Sequence, residues 1–517
     1  MKYLYGFFLV LNIVLWSSCR NDFESVPSSG NLEFSKDTIF LDTVFTNIGS
    51  STRTLKVYNR SDKDINIPTI QLSSGEASNY RLNVDGIPGK TFENINILAN
   101  DSIFVFIETT IDIDNFPNPD NSYLYEDSIV FDSGTNAQDV NLITLVKDAI
   151  FLFPEQNLDG TVETLNLGTE EEPILIEGFY LDDDQLNFTN DKPYVIYGYA
   201  AVAPNKTLII EAGARIFFHR DSGILVTNGA SMRCNGLPSS DSEIMENQII
   251  FEGDRLEPSF SDVPGQWGTI WLTAGSTNHE FNYTTIKNSI VGILMDSNDG
   301  DRTLTLKNVE IFNSSNIGLL ARTGNVYGEN LIINNSGQSS LTLSLGGKYN
   351  FIHSTFVNYW TNNFRIFPAV SISNTLQISD TEFITADLLE ANFTNCIIYG
   401  NEARELIFTQ SQEAAFNFNF KNSLIRFDDP NGNYEDDLNY DFLNETLYTN
   451  IVRNQNPSFL NSSMNDFNIE TDVSGADGIA DPIDAAIVPL DANGINRNIS
   501  SPDAGAYESI IFPDDGV

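Results

Sequence analysis

The side chains able to do chemistry are few and scattered. The three histidines, His219, His279 and His353, show no H-x-x-x-H spacing, and no C-x-x-C occurs among Cys19, Cys234 and Cys396, which excludes a cysteine zinc site. His219 and Arg220, in FFHRDSG, follow a strand and could serve as a base and a charge clamp, or simply end that strand with polar groups. Asp296, Asp299 and Asp301, in DSNDGDR, alternate like the acids of a Ca²⁺-binding loop but lack the distal glutamate. Asp428, Asp429, Glu435, Asp436 and Asp437 cluster in RFDDPNGNYEDDLNY, interrupted by Pro430 and Gly432. Asp and Asn also dominate ordinary turns, so each cluster has a turn reading beside its metal reading. Trp267 and Trp271 in QWGTIW, and Tyr359 and Trp360 in FVNYW, could stack on sugar faces. Strand alternation sends one member of each pair inward.

The elements that must position these groups repeat. HEFNYTTIKNSI (from His279), LTLKNVEIFNSS (Leu304), VYGENLIINNSG (Val326), YNFIHSTFVNYW (Tyr349), LQISDTEFITAD (Leu376), ANFTNCIIYGNE (Ala391) and FNFKNSLIRFDD (Phe418) share one pattern of large and polar positions. Most start 22 to 27 residues after the last, and the Leu376–Ala391 step is 15. A period in the low twenties is one coil of a β-solenoid, in which each turn buries against the next what it could not bury alone. Asn308, Asn395 and Asn422 recur just after a buried position and are expected to form a hydrogen-bonded turn ladder, with Asp380 the one acid at that place. Buried strands rich in Ile, Val and Phe begin near residue 198, as in TLIIEAGARIFF and GILVTNG. At about 23 residues per coil, residues 198–508 would make about thirteen coils, and at about 4.8 Å per step a rod about 60 Å long.

Upstream, residues 30–149 hold about seven short alternating runs separated by turn clusters such as NRSDKD and DSGTN, the pattern of an antiparallel β-sandwich. Residues 150–197, with EEE at 170–172 and DDD at 182–184, read as a linker and the cap of the first coil. Residues 1–19 carry Lys2, an apolar run from Tyr3 to Trp16 too short for a membrane span, then Ser17, Ser18 and Cys19. Residues 20–29 read as a tether and 509–517 as a tail. With 71 acids against 27 bases the net charge is −44, which excludes nucleic acid and anionic lipid as direct partners. Cys234 and Cys396 read as buried free thiols.

Several segments resemble known families. Ser17-Ser18-Cys19 resembles a bacterial lipoprotein signal, implying cleavage before Cys19 and a lipid anchor on its thiol, although Trp16 stands where leucine is usual. Asp22 and Glu24 resemble the surface-export signal of Bacteroidetes lipoproteins. TLKVYNRSDKDINI resembles the immunoglobulin-like sandwich of the major-sperm-protein type. Asp37-Thr38-Ile39, Asp42-Thr43-Val44, Asp101-Ser102-Ile103 and Asp127-Ser128-Ile129 resemble bacterial O-glycosylation triplets. PYVIYGYAAVAPNKTLIIEAGARIFFHRDSGILV, VPGQWGTIWL and GGKYNFIHSTFVNYW resemble the right-handed parallel β-helix lipoproteins of Bacteroidetes. DANGINRNISSPDAGAYE resembles the closing motif of bacterial β-helix proteins, with Asp491, Gly494, Arg497, Asp503, Gly505 and Glu508.

The resulting expectation is an all-β protein: an immunoglobulin-like sandwich, then a right-handed parallel β-helix, lipid-anchored to the outer membrane and facing outward. β-Helix enzymes need carboxylates or an acid–base pair converging from adjacent coils, and no such set recurs at matching repeat positions. The scarcity of Lys and Arg also weighs against a lyase of acidic polysaccharides. The expected function is therefore non-catalytic display of the helix face to a glycan or protein partner, without a cofactor unless the DSNDGDR loop takes Ca²⁺. The alternative is a polysaccharide lyase or glycosidase.

Overall fold

The computed structural model describes residues 25–116, 121–241, 244–296, 302–379 and 381–513. The chain divides into two compact units, Met1–Asp148 and Ala149–Val517. Cys19, with the whole leader and tether motif up to Glu24, lies outside the described residues.

The first unit is a two-sheet β-sandwich. Its five-stranded sheet runs Glu33–Phe34, Arg53–Tyr58, Ser102–Thr109, Tyr80–Val84, Ile87–Gly89. The other has six strands, with Ile65–Leu72 pairing both Thr91–Ile97 and Ser122–Phe131. Strict alternation sorts the faces: Leu55, Val57, Val105 and Ile107 point inward and are fully buried. Pairing is antiparallel except where Thr38–Phe45 joins Gln138–Lys147, and Val26–Pro27 joins Ile65–Leu72, in parallel. Thr38, Thr43, Ser102 and Ser128 of the Asp-Ser/Thr triplets are half-buried on these strands. The Asp101 and Asp127 carboxylates each accept the next residue's N–H at 2.8 Å.

The second unit is a parallel β-helix with three faces per coil. The first two faces form one continuous 18-stranded sheet, and the third is a ten-stranded sheet from Thr164–Asn166 to Leu406–Thr409. In Leu304–Ser314 and Asn325–Ser336 a single strand runs across the bend between the first and second faces. The bend residue takes positive φ, which an L-residue other than Asn, Asp or Gly adopts at a cost. Register places Tyr283, Asn308, Asn330, His353, Asn395, Asn422 and Asn450 in one column there, with φ between 44° and 55°. The Asn330 amide donates to Asn308 Oδ1 at 2.9 Å, as expected of a ladder, and Asn395 meets His353 at 2.9 Å. A second ladder, Asn288–Asn313–Asn335, runs at the far end of the second face.

The expected organisation differs from the structure in three places. The copy beginning at Leu376 is not a coil: Thr375–Gln377 and Phe383–Thr385 form an antiparallel hairpin inserted between coils. That explains the 15-residue step, and Asp380 itself lies outside the described residues. The stretch expected as linker and cap already contributes rungs, since Ile150–Leu152 pairs Tyr194–Ile196 and Leu175–Tyr180 pairs Tyr199–Val202. At the other end the stacked rungs stop at Val452–Arg453, so the rod is shorter than thirteen coils.

The remaining segment folds back along the outside of the second face. Phe467, Ile469, Ala476, Ala504, Ala506 and Tyr507 pack on the outward Ile332, Val357, Ile397, Tyr399 and Leu424. The closing-motif residues clamp it there. The Arg497 guanidinium donates to Glu508 Oε1 at 3.1 Å and to the bend residue Asn330 at 2.7 Å. Gly505 donates its N–H to the Asn395 carbonyl at 2.8 Å, and a Cβ there would lie 2.6 Å from Ile397 Cδ1.

Candidate functional site

Rung stacking brings together groups that lie far apart in sequence. Ile196, Phe218 and Gly253 are partners in successive coils, so the residues that follow, Tyr197, His219 and Asp254, line up at the corner between the second and third faces. Tyr197 and His219 stack with ring centroids 4.6 Å apart, and His219 Nδ1 lies 2.8 Å from Asp254 Oδ2. The Asp254 carboxylate is largely covered while half of the His219 side chain is open to water. This contact holds Nδ1 against the carboxylate and fixes how the half-exposed ring is turned.

Burial pushes the Asp254 carboxyl up, and the contact with His219 opposes that shift. Burial and then the Asp221 charge push the Tyr199 phenol up to about 12, so it stays protonated. Tyr197, Tyr199 and His219 border a cleft of about 550 Å³ that Glu177, Arg220, Asp221 and Gly268 also line. Gly268 has to be glycine: a Cβ would stand 2.4 Å from the Tyr199 hydroxyl. Arg220 and Asp221 pair at 3.2 Å in an open setting.

Across the third face, Trp271 extends the same surface. Ile176 and Tyr199, which line the cleft, pack with Trp271 around Leu165, Ala201 and Leu225. Trp271 Nε1 donates to Asp296 Oδ2 at 2.6 Å, and Arg322 Nη1 donates to Asp296 Oδ1 at 3.0 Å. The indole is half-buried, with a carboxylate and a guanidinium beside it.

The other sequence-chosen aromatics are buried or covered by neighbouring rings. Trp267 is 0% exposed, stacked on Phe218 at 4.3 Å, with its N–H spent on the Lys287 carbonyl. Trp360 is buried and bonds Asn363, while Tyr359 is half-buried under Phe459 and Phe467 of the returning segment. These three offer no platform for a sugar, because a coil corner and the folded-back segment consume their faces. Asp296, chosen as a cation ligand, has both carboxylate oxygens engaged, and Asp299 and Asp301 lie outside the described residues. No group of three or more His, Cys, Asp or Glu capable of holding a metal occurs among the described residues. The sequence pointed to His219 and Trp271, but Asp254 and Tyr197 emerge only once strands are put in register. Counting one residue past the ends of YVI and IIFEG would have found them.

No family model and no curated protein matches this chain. Among solved structures, the catalytic unit of a thermostable GH87 α-1,3-glucanase from Streptomyces thermodiastaticus is similar over 71% of this chain and 74% of that one, with 11% identity and a TM-score of 0.28. A family 123 glycoside hydrolase from Clostridium perfringens aligns with 23% of this chain at 12% identity and a TM-score of 0.16; the chain spans 26% of its length. The E. coli chaperone DraB aligns with 24% of this chain and 57% of its own, at 12% identity and a TM-score of 0.16. Likeness at this level carries no argument about function.

Proposed function

We propose that the third face of the N-terminal coils is a glycan-binding surface of a lipid-anchored, outward-facing outer-membrane protein. The observation that carries the binding reading is the continuity of the Tyr197–His219 cleft with the Trp271–Asp296–Arg322 cluster. Sugars bind where an aromatic face meets their C–H surface and paired polar groups meet their hydroxyls. This strip offers both, on rigid stacked strands that need little ordering on binding. Location rests on the sequence alone, through Ser17-Ser18-Cys19. Labelling with a radioactive fatty acid, lost in Cys19→Ala, tests it.

A second reading is favoured by one feature. His219, held from behind by Asp254, lines the groove with Glu177 and Asp221, the kind of grouping of acids and base that a β-helix enzyme uses. Here His219 would remove or return a proton and Asp254 would orient it. A panel of soluble polysaccharides separates the readings. Retention of the protein without release of reducing or unsaturated ends supports binding. Release that disappears in His219→Ala supports cleavage. Neither retention nor release with any glycan refutes both.

A further inference from the structure

Rung pairing sets out one uncharged column along the outside of the third face. Trp271, Leu294, Leu320, Thr342 and Ser371 are partners in five successive coils. Each is partly exposed, while the residues on either side of it, such as Ile293 and Met295 beside Leu294, are fully buried. Strand alternation therefore points the whole column outward. The third-face stretches 267–273, 289–296, 315–322, 337–344 and 368–373 contain two charged residues, Asp296 and Arg322, in a chain with 71 acids and 27 bases. Those two bond each other at 3.0 Å, so neither charge is left for a ligand.

The neutral column has two ends. On the N-terminal side its next positions, Leu225 and Ala201, are buried against Leu165 and Ile176. The cleft lined by Glu177, Arg220 and Asp221 adjoins them. On the C-terminal side the next partner, Ile407, lines a recess with Glu402 and Arg404, and Arg404 lies 3.7 Å from Asp429 of the acidic insertion. A rung adds about 4.8 Å, so the five rungs between these ends span about 19 Å. One rung is close to the advance of one pyranose in an extended chain, which gives room for about four or five sugars. Trp271, Leu294 and Leu320 offer apolar surface to sugar C–H groups, and Thr342 and Ser371 add hydroxyls. A strip one side chain wide falls short of the about 800 Å² that each partner gives to a stable protein interface.

We infer, on the reading that this surface binds a glycan, that the ligand is a neutral polysaccharide whose backbone lies along the helix axis from Trp271 to Ser371. A uronate or sulfate would meet no free cation there, and an ammonium no free carboxylate. Each would lose water without gaining a partner. A neutral chain gives up only hydroxyl hydration, which the column's own hydroxyls replace in part.

The test runs the full chain through affinity gels of hydroxyethylcellulose, β-1,3-glucan and galactomannan as neutral probes, polygalacturonate as the acidic probe and chitosan as the basic one. High salt screens the net charge of −44. Oligosaccharides of the retained glycan, from two to seven sugars long, are then titrated into the wild type, Thr342→Glu and Ser371→Lys. A neutral gel should retain the protein best. Affinity should rise about tenfold from the disaccharide to the pentasaccharide and then level off, and each variant should lose most of that rise. The wild-type length series needs no variant and stands even if a substitution disturbs the strand. Equal or stronger retention by polygalacturonate or chitosan, a plateau already at the disaccharide, or undiminished pentasaccharide binding in the folded variants would overturn the inference and leave the glycan reading standing. No retention by any gel would overturn both.

Discussion

Replacing Arg497 by alanine should release the C-terminal segment from the second face without unfolding the coils. Arg497 is 5% exposed, and its guanidinium serves Glu508, Asn330 and the carbonyls of Gly505 and Ala506. Removal leaves Glu508, Asp491 and Asp503 buried without their cation. Breaking a buried pair from one side costs about 3–5 kcal/mol. The cost falls on the segment that the arginine ties down, so it is read as local opening. At about 1.4 kcal/mol per factor of ten, hydrogen exchange at the Gly505 amide should speed up by roughly two to three and a half powers of ten. Amides of the central rungs, such as Ile311 and Ile333, should keep their protection. Burial pushes the Asp503 carboxyl up to about 6 from an ordinary 3.8. A carboxyl raised on folding contributes stability that is complete below its unfolded value and lost as pH rises through its folded one. The Arg497→Ala defect should therefore shrink between pH 7 and pH 4.5. Less than a tenfold change at Gly505, or equal loss at Ile311 and Ile333, would refute the clamp.

Three further outcomes follow from single positions. Asn308, at φ 52° in the bend column, should tolerate glycine with a loss of about 1 kcal/mol for one hydrogen bond, whereas valine should add roughly 1–2 kcal/mol of left-handed strain; equal urea midpoints for the two variants would contradict this. Cys234 and Cys396 are buried, and burial pushes the Cys396 thiol up to about 12, so both should resist a thiol reagent until the protein is denatured; rapid native reaction of either would show that the core opens. Because both oxygens of Asp296 are engaged by Trp271 and Arg322, moving from chelator to millimolar Ca²⁺ should leave the melting temperature unchanged; a rise proportional to the logarithm of free Ca²⁺ would return that carboxylate to a metal.

Periodicity carried most of the β-helix. Six of the seven repeats, those beginning at His279, Leu304, Val326, Tyr349, Ala391 and Phe418, stack at the register their spacing implies. The seventh misled because a hairpin alternates large and polar residues just as a coil does. The Asn ladder was legible at Asn308, Asn395 and Asn422, but its Tyr283 and His353 rungs were not, since neither residue signals positive φ. The rods' end was hidden too: a segment that folds back on the outside carries the same apolar content as one that adds a coil. The candidate site was half legible. His219 and Trp271 stood out by residue type, but Trp267 and Trp360 could not be told from Trp271, because alternation fixes which residues oppose without fixing which side is in. Asp254 lies 35 residues beyond His219, and only rung pairing places them 2.8 Å apart.

Titration of the wild-type protein and of Trp271→Ala with a glycan retained in an affinity gel tests the central claim most directly. An aromatic contact of this kind is worth about 1 kcal/mol, so Trp271→Ala should weaken binding about fivefold, and His219→Ala, at the other end of the strip, should weaken it at least as much. Both variants should remain folded at the temperature of the titration, although each melts below the wild type because Asp296 or Asp254 loses a partner. Undiminished binding in both would place the glycan elsewhere on the protein and contradict the account.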